Sequence, residues 1–134
     1  MKGLRIAIIG ATGLVGRTML SVLEELDFPL DELLLAGSES SRGKQLSCLG
    51  QTWPVRRVDE VLASRPDVAL FSAGSDVSKK WAYAFIERVC VDREYALRLK
   101  LIDCETTELI WTALGVGMDD SEFFREVSNA LQAR

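Results

Sequence analysis

Leu4-Arg5-Ile6-Ala7-Ile8-Ile9-Gly10-Ala11-Thr12-Gly13-Leu14-Val15-Gly16-Arg17-Thr18-Met19-Leu20 decides how the rest of the chain is read. A short apolar run ends in three glycines spaced G-x-x-G-x-x-G, and an amphipathic segment follows without a break. An apolar run of that length fits a parallel strand buried on both faces, and the change of period after it fits a helix. Gly10 and Gly13 are expected to turn the chain with φ > 0 and to let a pyrophosphate approach the backbone. Gly16 is expected to let the helix pack close to the strand. The first amides of such a helix have no intrahelical acceptor, and with the helix dipole they would face the phosphates. Glycines at this spacing also occur in plain turns; the strand before and the helix after are what favour a phosphate loop here.

Composition narrows the alternatives. At 134 residues the chain suits one domain with a core of its own, and 48% hydrophobic with 27% charged residues is an ordinary globular balance. Its net charge is −4, and the 16 basic residues are dispersed, which argues against nucleic acid or an anionic membrane as partner. No apolar run approaches the roughly 18 residues of a membrane span, and the N-terminus enters a strand without a signal-peptide layout. Cys48, Cys90 and Cys104 are odd in number and far apart, as expected of reduced thiols in a cytoplasm. No C-x-x-C pair and no histidine occur, so no metal site is expected. The missing histidine also removes the commonest general base, which leaves any chemistry to Cys, Asp, Glu, Lys, Tyr or Ser.

The first helix is expected from Leu14 to Leu26, with Leu14, Leu20 and Leu23 inward, Glu24 and Glu25 outward, and Asp27-Phe28-Pro29 as its stop. Leu33-Leu34-Leu35-Ala36 reads as a second buried strand, followed by the polar segment Gly37-Ser38-Glu39-Ser40-Ser41-Arg42-Gly43-Lys44. In a doubly wound fold the adenosine ribose is read just past the second strand. Hydroxyls and two cations, with Glu39 the sole acid, tilt that segment towards a 2′-phosphate and hence NADP, with NAD as the alternative. Gln45 to Val55 suggests one or two short strands around Gly50, with Trp53 burying an aromatic face. Asp59 to Ala63 suggests a short helix, and Arg65-Pro66-Asp67 a turn. Val68-Ala69-Leu70-Phe71 reads as a third buried strand ending in Ser72-Ala73-Gly74-Ser75, small residues that leave room for a ligand. Ser75 or Asp76 can cap a helix from Val77 to Val89, on which Trp81 reads as a packing residue.

GATGLVG, DELLLAGSESSRGK and DVALFSAGSDVSKKWA, in that order and at these intervals, resemble the cofactor domain of aspartate-semialdehyde dehydrogenases. The resemblance covers residues 4–84, about three-fifths of the chain. It implies a Rossmann-like fold and NADP-dependent, phosphate-assisted conversion between aspartyl phosphate and aspartate semialdehyde. It implies further that Thr12, Gly13, Leu14 and Val15 hold the pyrophosphate, beside the Gly10 and Gly16 that the glycine spacing already assigns to the loop. By the same resemblance Ser38 and Ser41 sit near the 2′-phosphate, and Ser72, Ala73 and Gly74 line the cofactor crevice. Ser40 stands where that family usually has an arginine, and Arg42 and Lys44 are the cations that would substitute for it.

Beyond Ala84 the family pattern is not recognisable. Tyr95, Leu97, Leu99 and Leu101 alternate with Ala96, Arg98 and Lys100, which reads as a half-buried antiparallel strand. Leu109 to Leu114 reads as its returning strand, and Asp119, Asp120 or Ser121 would cap a last helix carrying Phe123, Phe124, Val127 and Leu131 on one side. The fold expected is therefore α/β, a Rossmann-like three-layer domain with a mostly parallel sheet. To its βαβ core over residues 1–90, a C-terminal β-hairpin and helix are added over residues 91–134, where the hairpin would extend or cover the sheet edge. Asp103-Cys104-Glu105-Thr106 superficially resembles the family's nucleophile segment, but no histidine exists to activate the thiol and its acidic neighbours would raise its pKa. No catalytic residue is assigned on the sequence. The expectation is a dinucleotide-binding domain that is catalytically incomplete alone and open to homo-oligomerisation. The competing expectation is a non-catalytic interaction protein that kept the fold.

Overall fold

In the computed structural model, residues 3–91, 100–103 and 109–112 are described. The chain runs through β1 (Leu4–Ile9), α1 (Leu14–Glu25), β2 (Leu30–Ala36), a single 3₁₀ turn (Glu39–Ser41), β3 (Gln45–Cys48) and β4 (Gln51–Arg56). It continues through α2 (Val58–Ala63), β5 (Val68–Phe71), α3 (Ser75–Val91), β6 (Lys100–Asp103) and β7 (Leu109–Thr112). The strands form one sheet in the order β3-β4-β2-β1-β5-β6-β7, so the opening strand lies at its centre. β4, β2, β1, β5 and β6 are mutually parallel, and antiparallel β3 and β7 close the two edges. From β1 the chain builds outward to β2 and β4, then crosses to the other side of β1 to lay down β5. Strand order thus reverses at β1, which opens a crevice above its carboxyl end.

Burial explains why β1 is apolar throughout. Ile6 and Ile8 pack on one face with Leu20 and Leu23 of α1, Leu33 and Leu35 of β2, and Val55. Ala7 and Ile9 pack on the other with Leu34, Val61 of α2, Phe71, and Ala82 and Phe85 of α3. Each face has its own helical layer, so a two-residue period puts apolar side chains on both. The Phe71 and Phe85 rings meet edge to face, with centroids 5.8 Å apart and planes at 87°, pinning α3 to β5.

The amino ends of the central strands are tied together by Arg5. Its amide donates to the Asp67 carboxylate at 2.9 Å, and the Asp67 amide donates back to the Arg5 carbonyl at 2.7 Å. The Arg5 guanidinium donates to Glu32 at 2.8 Å and to the Arg65 carbonyl at 3.1 Å. These polar groups occupy the edge opposite the crevice.

Three expectations change. Leu14 points outward, 85% exposed, because the first helical position projects past the carboxyl edge of the sheet; Leu20 and Leu23 are buried as expected. α3 begins at Ser75, two residues earlier than expected, and the Ser78 amide already bonds the Gly74 carbonyl at 2.9 Å, so neither Ser75 nor Asp76 is its cap. β6, described over Lys100–Asp103, is parallel to β5, with Val68 opposite Lys100 and Phe71 opposite Asp103. Only its far side is antiparallel, to β7. α3 works as a crossover connection, and a strand delivered by a crossover joins its predecessor in parallel. The hairpin therefore extends the sheet edge left by β5. Tyr95, Leu97, Leu99, Cys104 and the expected last helix lie outside the described residues.

Candidate functional site

A cleft of about 380 Å³ opens where the parallel strands end. β1 contributes Ile9 and is followed into it by Gly10, β2 is followed by Gly37 and Ser38, and β4 by Arg57 and Val58. Ala73 enters from the end of β5, and Val77 and Trp81 of α3 line the cleft from the side. Trp81 also packs against the core, so its ring serves both the core and the cleft wall.

The glycine loop is held to this shape by sterics and backbone hydrogen bonds. Gly10 has φ +95°, and a Cβ there would come within 2.8 Å of the Ser72 backbone and 2.9 Å of Ala73. The Gly10 and Ala11 amides both donate to the Ala36 carbonyl, at 2.9 and 3.0 Å, which fastens the loop to the end of β2. A Cβ on Gly16 would run into the Gly10 carbonyl and the Ala11 backbone, so the helix approaches the strand as closely as expected. Gly13 differs from expectation: it has φ −75° and ψ 173°, an extended conformation open to any residue. Its lack of a side chain matters at the helix mouth instead. Gly13 is the N-cap residue of α1, and no side chain caps that helix. The amides of Leu14, Val15 and Gly16 therefore have no intrahelical acceptor and lie at the positive end of the dipole. Arg17 braces the loop from behind, its Nε donating to the Thr12 carbonyl at 3.1 Å.

The segment after β2 is a hydroxyl cluster. Thr12 Oγ1 and Ser41 Oγ are 3.2 Å apart, Ser41 and Ser38 hydroxyls 3.2 Å, and Ser38 and Ser40 hydroxyls 2.9 Å. Ser41 is buried in this network, whereas Ser38 faces the cleft. Arg42 turns away to Glu60, at 3.2 Å, and the Lys44 backbone pairs with Val55 of β4; neither residue lines the cleft. Arg57 does, and it was not among the residues expected from sequence. Its Nε lies 3.6 Å from Glu39 and 3.2 Å from Asp59. The signal for it was its place immediately after a parallel strand, but β4 is recognisable as parallel only once paired with β2 through Leu35–Val55 and Ala36–Arg56. Across the cleft, the Ser72 amide donates to the Ile9 carbonyl at 2.8 Å. The Ser72 hydroxyl lies 3.2 and 3.3 Å from the Ile9 and Gly10 carbonyls, so it fixes the loop's first turn. Ala73 lines the wall, and Gly74 starts the first turn of α3.

Among the described residues no cluster of three or more metal-binding side chains exists, and no helix is long and apolar enough to cross a membrane. Cys48 is fully buried, and burial, followed by the nearby Glu24 charge, pushes its thiol pKa up.

Comparison with known proteins identifies a family and a fold. The model of the family described as "Semialdehyde dehydrogenase, NAD binding domain" matches residues 5–112, through both strands of the terminal hairpin and well past Ala84. An aspartate-semialdehyde dehydrogenase of Aquifex aeolicus is 47% identical over 100 residues, covering 72% of this chain and 29% of that protein. Aspartate-semialdehyde dehydrogenase 2 of Vibrio cholerae is 53% identical over 77 residues, covering 58% of this chain and 23% of that one. The crystal structure of aspartate semialdehyde dehydrogenase II from Vibrio cholerae superposes with a TM-score of 0.63 at 44% identity, over 75% of this chain and 28% of that one. A probable aspartate-semialdehyde dehydrogenase from Pseudomonas aeruginosa superposes with a TM-score of 0.65 at 28% identity, over 92% of this chain and 34% of that one. The chain spans about a third or less of the proteins it matches.

Proposed function

Because the chain belongs to the semialdehyde dehydrogenase family and corresponds to its NAD-binding domain, we propose that it binds NADP(H), with NAD(H) as the weaker ligand, across the cleft above β1. The observation that carries this reading is the helix mouth: a glycine N-cap, no capping side chain, and three amides without intrahelical acceptors at the switch point of a parallel sheet. Gly10, Thr12, Gly13, Leu14, Val15 and Gly16 would hold the pyrophosphate. Ser38 would meet the adenosine ribose, and Ser72, Ala73 and Gly74 would flank the nicotinamide arm. Ser41 holds this arrangement from within the hydroxyl cluster. When bound, the nicotinamide ring accepts or donates a hydride. This chain's own residues bind the cofactor, orient it and wall one side of it with Trp81.

The reaction proposed for a site that includes this domain is interconversion of aspartyl phosphate and aspartate semialdehyde, as the family resemblance implies and in line with relatives named aspartate-semialdehyde dehydrogenase. The described residues supply the cofactor half of such a site and no nucleophile within it, so the chain by itself is proposed to bind without catalysing. Titration of the 134-residue chain with NADPH and NADH, followed by cofactor fluorescence or calorimetry, tests this. Saturable binding of at least one dinucleotide is expected. Absence of binding at millimolar cofactor overturns it.

A further inference from the structure

We propose that Arg57, at the carboxyl end of β4, is the cation that reads the ribose 2′ position, and that Glu39 competes with a 2′-phosphate for it. This rests on the dinucleotide reading above and adds to it a residue that sets cofactor choice. Arg57 is the one basic residue among the described residues lining the cleft, and it enters beside Gly37 and Ser38, where the ribose is read. Arg42 and Lys44, the cations nearer in sequence to the serines, do not line it, and Arg42 is engaged by Glu60.

Two carboxylates share the Arg57 guanidinium. Asp59 is the closer at 3.2 Å; Glu39 stands at 3.6 Å with its side chain 74% exposed. An exposed ion pair of that length contributes little, so Glu39 swings into water at small cost. A phosphate dianion accepts charge-assisted hydrogen bonds from the same fork at roughly twice the strength of neutral ones. Asp59 keeps the guanidinium oriented while the phosphate replaces Glu39 and gathers the Ser38 hydroxyl as well. A 2′-hydroxyl makes no such exchange: Glu39 stays on Arg57 and stands ready to accept from the hydroxyl. Both cofactors therefore fit, and the Glu39–Arg57 contact sets the balance between them.

The test is titration of the 134-residue chain and its variants with NADPH, NADH, 2′,5′-ADP and 5′-AMP, with thermal melts to confirm folding. Arg57→Ala should weaken NADPH and 2′,5′-ADP by about 10- to 100-fold, the range of a hydrogen bond to a charged group. NADH and 5′-AMP should stay within about twofold. Glu39→Gln should tighten NADPH several-fold and leave NADH unimproved. Arg42→Ala should change neither cofactor. Equal losses for both cofactors in Arg57→Ala, no loss in either, or the NADPH loss appearing in Arg42→Ala instead, each overturn the proposal. If Arg57→Ala does not fold, the Glu39→Gln result decides, since a removed competitor must favour the phosphate. If the unaltered chain binds neither dinucleotide, the cofactor reading itself fails and takes this one with it.

Discussion

Thr12 Oγ1, in the loop after β1, lies 3.2 Å from Ser41 Oγ, in the turn after β2. Ser41 is only 5% exposed and passes the contact on to Ser38 at 3.2 Å. The two segments that flank the cleft are thus joined by side chains as well as by the Gly10 and Ala11 amides on Ala36. Packing leaves room for this contact and little more: a Cβ on the intervening Gly37 would come within 3.2 Å of Ser41 and 3.5 Å of Thr12. The phosphate loop and the ribose segment therefore act as one unit.

Ser41→Ala removes the buried hydroxyl at the middle of that chain and is expected to cost about 1 kcal/mol of unfolding free energy. Thr12→Val is expected to cost a similar amount, and the double variant less than the sum, with a coupling of about 0.5 kcal/mol or more. Urea unfolding of the four proteins measures it. Strict additivity would mean the two hydroxyls do not interact.

Much of this architecture was legible from local signals. β1, β2 and β5 are buried on both faces, so their apolar runs are continuous, and Asp27 (φ +44°) before Pro29 marks the helix end that the sequence suggested. The last strand pair was harder. β6 is parallel to β5 and antiparallel to β7, and a four-residue strand carries no mark of its partners' directions. Arg57 is hidden in the sequence for a related reason: its significance lies in the pairing of β4 with β2, a relation between segments twenty residues apart. The extended backbone of Gly13 is hidden too, because a motif's spacing names which residues are glycine without saying which of them needs φ > 0.

Cys48 should make stability fall at alkaline pH. Burial, and then Glu24, raise the folded thiol's pKa above its ordinary value, while the unfolded chain titrates near about 8.5. The stabilisation is fully present below that value and is lost as pH rises towards and through the folded pKa, by at most about 1.4 kcal/mol per pH unit. Unfolding Cys48→Ala beside the parent at pH 7.5 and 9.5 isolates this thiol from other groups. The gap between the two proteins should narrow at the higher pH. A gap that does not move would exclude the linkage.

At the opposite sheet edge two acids are expected to differ. The Arg5–Glu32 pair is 2.8 Å long but its side chains are 31% and 37% exposed, so Glu32→Gln should cost less than about 1 kcal/mol and lose most of that effect in salt. Asp67 accepts from the Arg5 backbone amide at 2.9 Å, a bond that ties β1 to the residue just before β5. Asp67→Ala should therefore cost about 1–2 kcal/mol and change little with salt, as urea midpoints at low and high ionic strength will report. Equal, salt-sensitive effects at both positions would contradict the distinction.

Gly10 and Gly13 separate folding from binding. Alanine at Gly10 meets both a positive φ and backbone atoms of Ser72 and Ala73 at 2.8–2.9 Å, which cannot swing aside. Left-handed strain alone is worth about 1–2 kcal/mol, and the collision adds to it, so Gly10→Ala should lower stability by more than about 2 kcal/mol. Alanine at Gly13 meets no such resistance: φ is −75° and the nearest atom to its Cβ is the Gly10 carbonyl oxygen at 3.5 Å. Its cost to folding should stay within about 1 kcal/mol, the scale of an altered N-cap. A methyl group there stands at the entrance to the Leu14–Gly16 amides, where a pyrophosphate must come into van der Waals contact with bare backbone. Gly13→Ala should accordingly keep its melting temperature near the parent's and lose dinucleotide affinity by at least about tenfold, a pairing that thermal melts and an NADPH titration on one preparation will show. Retained affinity in a folded Gly13→Ala chain would mean that the phosphates do not lie on the mouth of α1.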